Sequence, residues 1–173
     1  ADGAGAAVLV VVMTDGEASV EEQVTVLRTA MRHPGLREAL SEGRGANLLN
    51  QVGFAKKDAV RQLVPEMRQL GSMVSGAMPA AVVMNARYVY NAFLDLGEEQ
   101  AQLREEMRGR LLRATREAAE KAEGPEKSRL ENNARFLGGA FAKGELLNHA
   151  APALTVEWSS DEDIESLDSL KGK

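Results

Sequence analysis

Between residues 46 and 150, four stretches of helical periodicity follow one another with almost no linker, and this spacing constrains the fold more than any other feature of the chain. The first runs from about Asn47 to Leu70 and is stopped by Gly71. Pro65 is expected to kink it, and Asp58 can cap its second half. The second opens with Pro79 in its first turn and reaches Leu96, where Gly97 ends it. The third, from Glu98 to about Glu123, carries Leu103, Met107, Leu111, Ala114 and Ala118 down one side. After the Gly124-Pro125 break, the fourth runs to about His149 with Leu130, Ala134, Leu137 and Phe141 at helical spacing. Connections this short force antiparallel neighbours, so the expected architecture is all-α, an up-and-down four-helix bundle.

The flanks read differently. Residues 1–45 form an N-terminal arm with one short helix, residues 46–150 the bundle, and residues 151–173 an acidic extended tail. Ser19 and Glu22 have capping-box spacing, with Val20, Val24, Leu27 and Met31 behind them and His33-Pro34-Gly35 as the stop. The glycine-rich SEGRGAN then leads into the bundle. AGAAVLVVVM, residues 4–13, is too short to span a bilayer, which takes roughly 20 apolar residues. It reads as a buried or partner-bound extended segment, with the remnant of a targeting signal as the other reading.

Charge is uneven along the chain. Net charge is −5, yet residues 155–173 hold Glu157, Asp161, Glu162, Asp163, Glu165 and Asp168 against two lysines, so the rest of the chain is almost neutral. Without a basic stripe and interleaved aromatics, nucleic acid is not an expected partner. Absence of cysteine removes disulfides, thiolate chemistry and cysteine-held metals. The two histidines, His33 and His149, cannot supply the Glu-x-x-His pairs of a di-metal bundle. Glu145 and His149 are four residues apart, but a histidine at a helix C-terminus is satisfied by the dipole. No phosphate-binding loop, dinucleotide fingerprint or serine elbow is present. A non-enzymatic protein with no catalytic residues, cofactor or metal of its own is the expectation.

Partner contact is then the function to look for. On the helix from 79 to 96, a count of about 100° per residue puts Val82, Ala86, Val89, Tyr90 and Phe93 on the core face and Arg87 at its edge. Met84 and Tyr88 fall on the outward side as contact candidates. Arg104, Arg108, Arg110, Arg113 and Arg116 alternate with glutamates on the next helix, as a solvated face laced by helical pairs. Arg113 and Arg116 are its docking candidates. The polar tail cannot bury a core by composition, and its lone Trp158 is the natural anchor on a partner.

The Pro-opened helix with Arg87, Tyr90 and Asp95-Leu96, preceded by FAKKDAVRQLVPEMRQLG, resembles the second and first bundle helices of the PsbQ family. LREEMRGRLLRATREAAEKAEG and EKSRLENNARFLGGAFAKGELL resemble its third and fourth, so the likeness covers about residues 46–148. It implies an extrinsic, membrane-peripheral subunit in the chloroplast thylakoid lumen that binds other subunits of a large membrane complex and stabilises the lumenal side of photosystem II. A related photosystem assembly-factor family with its own four-helix bundle would place the helix at 19–32 inside the bundle. A helical adaptor without a photosynthetic link is a third reading.

Overall fold

Ser19 opens its helix as the capping box requires, its Oγ accepting the Glu22 N–H at 3.1 Å. The computed structural model describes residues 18–139, and the regular elements among them are helical. They are α1 (Val20–Met31), α2 (Leu36–Ser41), α3 (Ala46–Gly53), α4 (Lys57–Gln62), α5 (Val64–Met73), α6 (Ala80–Val83) and α7 (Ala86–Phe93). A 3₁₀ turn at Glu98–Gln100 leads into α8 (Ala101–Lys121), followed by α9 (Gly124–Leu137). No described helix is long and apolar enough to cross a membrane.

The all-α class is as expected, but the regular four-rod pattern is not what the described residues show. The first expected helix is divided into α3, α4 and α5, and the second into α6 and α7. Two of the three breaks are held by a carboxamide from a distant element, which takes over a backbone group that a helix end leaves unpaired. At the α3–α4 break, Asn91 of α7 donates to the Gly53 carbonyl at 2.9 Å, and Gln23 of α1 accepts the Lys56 N–H at 2.8 Å. At the α6–α7 break, Asn133 of α9 donates to the Met84 carbonyl at 2.8 Å. Pro65 acts as a start rather than a kink, occupying the first turn of α5. Gly71 does not end that helix, which continues to Met73. Residues 140–149 of the fourth expected helix lie outside the described residues, as do residues 1–17 and the acidic tail.

Helix α7 occupies the centre. Ala86, Tyr88, Val89, Tyr90, Asn91, Ala92 and Phe93 are all buried, so it has packed neighbours on every side. Its main neighbour is α3, and the closeness of that approach depends on Gly53. A Cβ there would lie 2.6 Å from the Tyr88 carbonyl oxygen and 2.7 Å from Tyr88 Cβ, distances that packed atoms do not adopt. On the other flank, Tyr90 meets Phe136 of α9 edge-on, with ring centroids 5.9 Å apart.

Residues 20–41 take part in this core. Leu27 and Ala30 of α1 and Leu36 and Leu40 of α2 are fully buried, in one cluster with Phe93, Met107 and Leu111. The expected arm therefore contributes two helices to the packed body, where the sequence pointed to one. An ionic contact fastens α1 to α5. The buried Glu66 carboxylate accepts from Arg32 Nε at 2.9 Å and Arg28 Nε at 3.3 Å, while Arg28 also donates to the Gln62 carbonyl at 2.9 Å. Burial pushes the Glu66 carboxyl upward, but its own first-turn amide, Arg32 and Arg28 outweigh that and hold it below its ordinary value of about 4.5.

Three stability outcomes are expected. Gly53→Ala should destabilise the fold by about 1–3 kcal/mol, because backbone meets backbone and cannot yield as a side chain would. Gly109→Ala on α8, where a Cβ meets nothing within 4 Å, should stabilise by roughly 0.5–1 kcal/mol. Urea midpoints of the two variants check this, and equal signs would refute the close α3–α7 approach. Glu66→Gln should cost about 1–2 kcal/mol at neutral pH, a charge-assisted contact discounted for its partly exposed arginines. Because the folded carboxyl is depressed, this stabilisation is present above the unfolded value and is lost as pH falls through the lower folded value. The wild-type advantage over Glu66→Gln should accordingly shrink below about pH 4.5 in acid-unfolding curves.

Candidate functional site

Where α6 stops and α7 begins, the chain turns at Met84 and Asn85 and leaves a hollow of about 420 Å³ against α9. Arg87 and Tyr88 form one wall, and Arg129, Asn132 and Asn133 the other. The arrangement follows from the helix break. Asn133 donates its amide N–H to the Met84 carbonyl, which leaves its Oδ1 facing the opposite way, where it accepts from Arg87 Nη1 at 3.2 Å. Arg87 Nη2 donates to the Tyr88 hydroxyl at 2.8 Å, and Arg87 Cζ lies 4.7 Å from the Tyr88 ring centroid. The guanidinium is thus held by neutral groups alone. Its Nε–H is buried without an acceptor.

Among the described residues, no acidic side chain lines this hollow. That separates it from a cavity of about 440 Å³ beside α1 and α5, where Arg32 and Arg37 share the walls with Glu66. There His33 Nδ1 accepts the Gly35 N–H at 2.9 Å. In that cavity a carboxylate already meets Arg32, whereas at the α6–α7 break no carboxylate of the described residues meets Arg87.

The residues singled out from sequence fare unequally. Tyr88 is not on an outer surface: it is 4% exposed, stacked at a tilt on Phe54 with centroids 5.6 Å apart. The wheel count went wrong because it treated residues 79–96 as a helix with one solvated side, whereas Gly53 lets α3 close over that side. Met84 is half-buried at the pocket edge. Arg113 and Arg116 are exposed on α8 and have no ion pair or hydrogen bond to described residues. Their neighbours differ, since Arg104 donates to the Leu96 carbonyl at 3.0 Å and Arg108 to the Leu137 carbonyl at 3.3 Å. Arg110 donates to the Ser72 carbonyl. Those three arginines close backbone ends, and only one i,i+3 ion pair, Arg108 with Glu105, fits the expected laced face on α8. Trp158, Glu145 and His149 lie outside the described residues.

Sequence reasoning missed Arg129, Asn132 and Asn133. The available signal was a pair of asparagines in mid-helix, where the residue type is unfavourable unless its amide has a task. Among the described residues, no group of three or more His, Cys, Asp or Glu side chains is placed to hold a metal ion. No protein-family model, curated protein or solved structure matches the chain.

Tyr88→Ala should lower stability by about 3–5 kcal/mol, the range for truncating a buried aromatic. Tyr88→Phe, which removes only the acceptor for Arg87, should cost about 1 kcal/mol. Chemical denaturation distinguishes these values, and a Tyr88→Ala variant as stable as wild type would return Tyr88 to the surface.

Proposed function

We propose that the protein is a non-enzymatic helical subunit, PsbQ-like, that docks on the lumenal side of photosystem II as a membrane-peripheral component. The observation that carries this reading is the division of the arginines on α8. Arg104, Arg108 and Arg110 are used within the fold, while Arg113 and Arg116 project from the body without partners among the described residues. Exposed cations on a rigid helix steer association and set its register, with strength that falls as salt rises. The resemblance of residues 46–148 supplies the host and the compartment. The work is done by shape and surface charge.

A second reading is favoured by one specific feature. The assembly-factor family places the helix around residues 19–32 inside the bundle, and here Leu27 and Ala30 of α1 are fully buried in the main core. On that reading the protein occupies incomplete photosystem particles and leaves the finished ones.

A high-salt wash of thylakoid membranes should release the protein folded, as judged by circular dichroism of the supernatant. Arg113→Glu combined with Arg116→Glu should weaken retention with the melting temperature unchanged. Release only by detergent, or the absence of chlorophyll-protein chains from particles that contain the protein, would refute the extrinsic-subunit reading. Presence on immature particles alone would decide for the assembly factor.

A further inference from the structure

We propose that the pocket at the α6–α7 break binds a carboxylate presented by another protein chain, with Arg87 as the fixed cation and Arg129 as the mobile one. The inference stands apart from the photosynthetic reading, since it concerns what the isolated chain binds. A partly buried guanidinium in a folded protein ordinarily has a carboxylate beside it, because desolvating a charge is costly unless it is paired. Among the described residues Arg87 has none: its partners are the Asn133 carboxamide oxygen, the Tyr88 hydroxyl and the Tyr88 ring. These neutral groups fix the plane of the guanidinium without neutralising it. Asn133 cannot turn away to solvent without giving up its hydrogen bond to the Met84 carbonyl.

A guanidinium has five N–H groups. In Arg87, Nε–H is sealed off, and each Nη uses one hydrogen on Asn133 or Tyr88. One hydrogen on each Nη remains for an acceptor, and a carboxylate, with two oxygens, can take both. Arg129 is one helical turn before Asn133 on α9, exposed and without a partner among the described residues. It can swing over a bound anion. Asn85 and Asn132 complete the rim with uncharged donors and acceptors, which match the peptide groups flanking an acidic side chain. One fixed and one mobile cation suit a single negative charge, and so a carboxylate over a doubly charged phosphate.

The test is an NMR titration of the isolated full-length chain, reading the Arg87 Nε–H and the side-chain amides of Asn132 and Asn133 at constant ionic strength. The probe is acetylated, amidated Gly-Glu-Gly, compared with its Gln counterpart and with inorganic phosphate. The glutamate peptide should give saturable shifts, with affinity about tenfold or more above the glutamine peptide. Arg129→Glu should abolish those shifts and leave the thermal melt unchanged, because that side chain is exposed and has no hydrogen bond or ion pair to described residues. Arg87→Gln should also abolish them, but it disturbs Asn133 and Tyr88, so Arg129→Glu is the deciding variant. The proposal is overturned if glutamate and glutamine peptides bind alike, if neither saturates, if Arg129→Glu binds as wild type does, or if phosphate saturates more tightly than the glutamate peptide.

Discussion

The contact of Gly53 with the Tyr88 backbone is the constraint around which the described helices are arranged. It brings α3 against α7 closely enough for Asn91 to reach the Gly53 carbonyl, and with α3 on that side, α7 has no solvent face left. A central helix buried all round is apolar or internally satisfied all round, and the stretch from Ala86 to Phe93 meets that demand with a tyrosine whose hydroxyl accepts from Arg87 and an asparagine that closes a neighbour's end. The arginine in its first turn is the residue that does not fit, and it sits where the pocket opens.

The breaks between helices owe more to partners than to breakers. A chain end that leaves N–H and C=O groups unpaired in a core is unstable unless something supplies the missing partner. Gln23, Asn91 and Asn133 do so from α1, α7 and α9. Each is buried, each makes a hydrogen bond of 2.8–2.9 Å to backbone, and each joins elements far apart in the chain. Three such amides allow short helices to replace longer rods without orphaned backbone.

This is also why the sequence was legible in some places and not in others. The Ser19–Glu22 cap, the start at Gly124-Pro125 and the apolar stripe of α8 are local features, governed by residues three or four apart. Met107, Leu111, Ala114 and Ala118 are buried as their spacing demands. The division of residues 46–73 is not local, because the groups that stabilise the break at Gly53–Lys56 lie 38 and 33 residues away. Nor is the pocket, whose two walls come from residues 46 and 49 positions apart. Tyr88 was misplaced for the same reason: a helical wheel knows nothing of the glycine on another helix that determines which side is covered.

The amides that hold the helix ends carry no charge. A proton has nothing to titrate there, and a counterion nothing to screen, so the α3–α4 and α6–α7 breaks are indifferent to acidity and ionic strength. The ionised groups are concentrated elsewhere, in the Glu66 clasp and along the outer arginines. Changes in the surrounding solution can therefore act on the α1–α5 clasp and the outer arginines while the amide-held breaks around α7 stay as they were, which is a useful separation for a part that must be fitted to, and removed from, something larger.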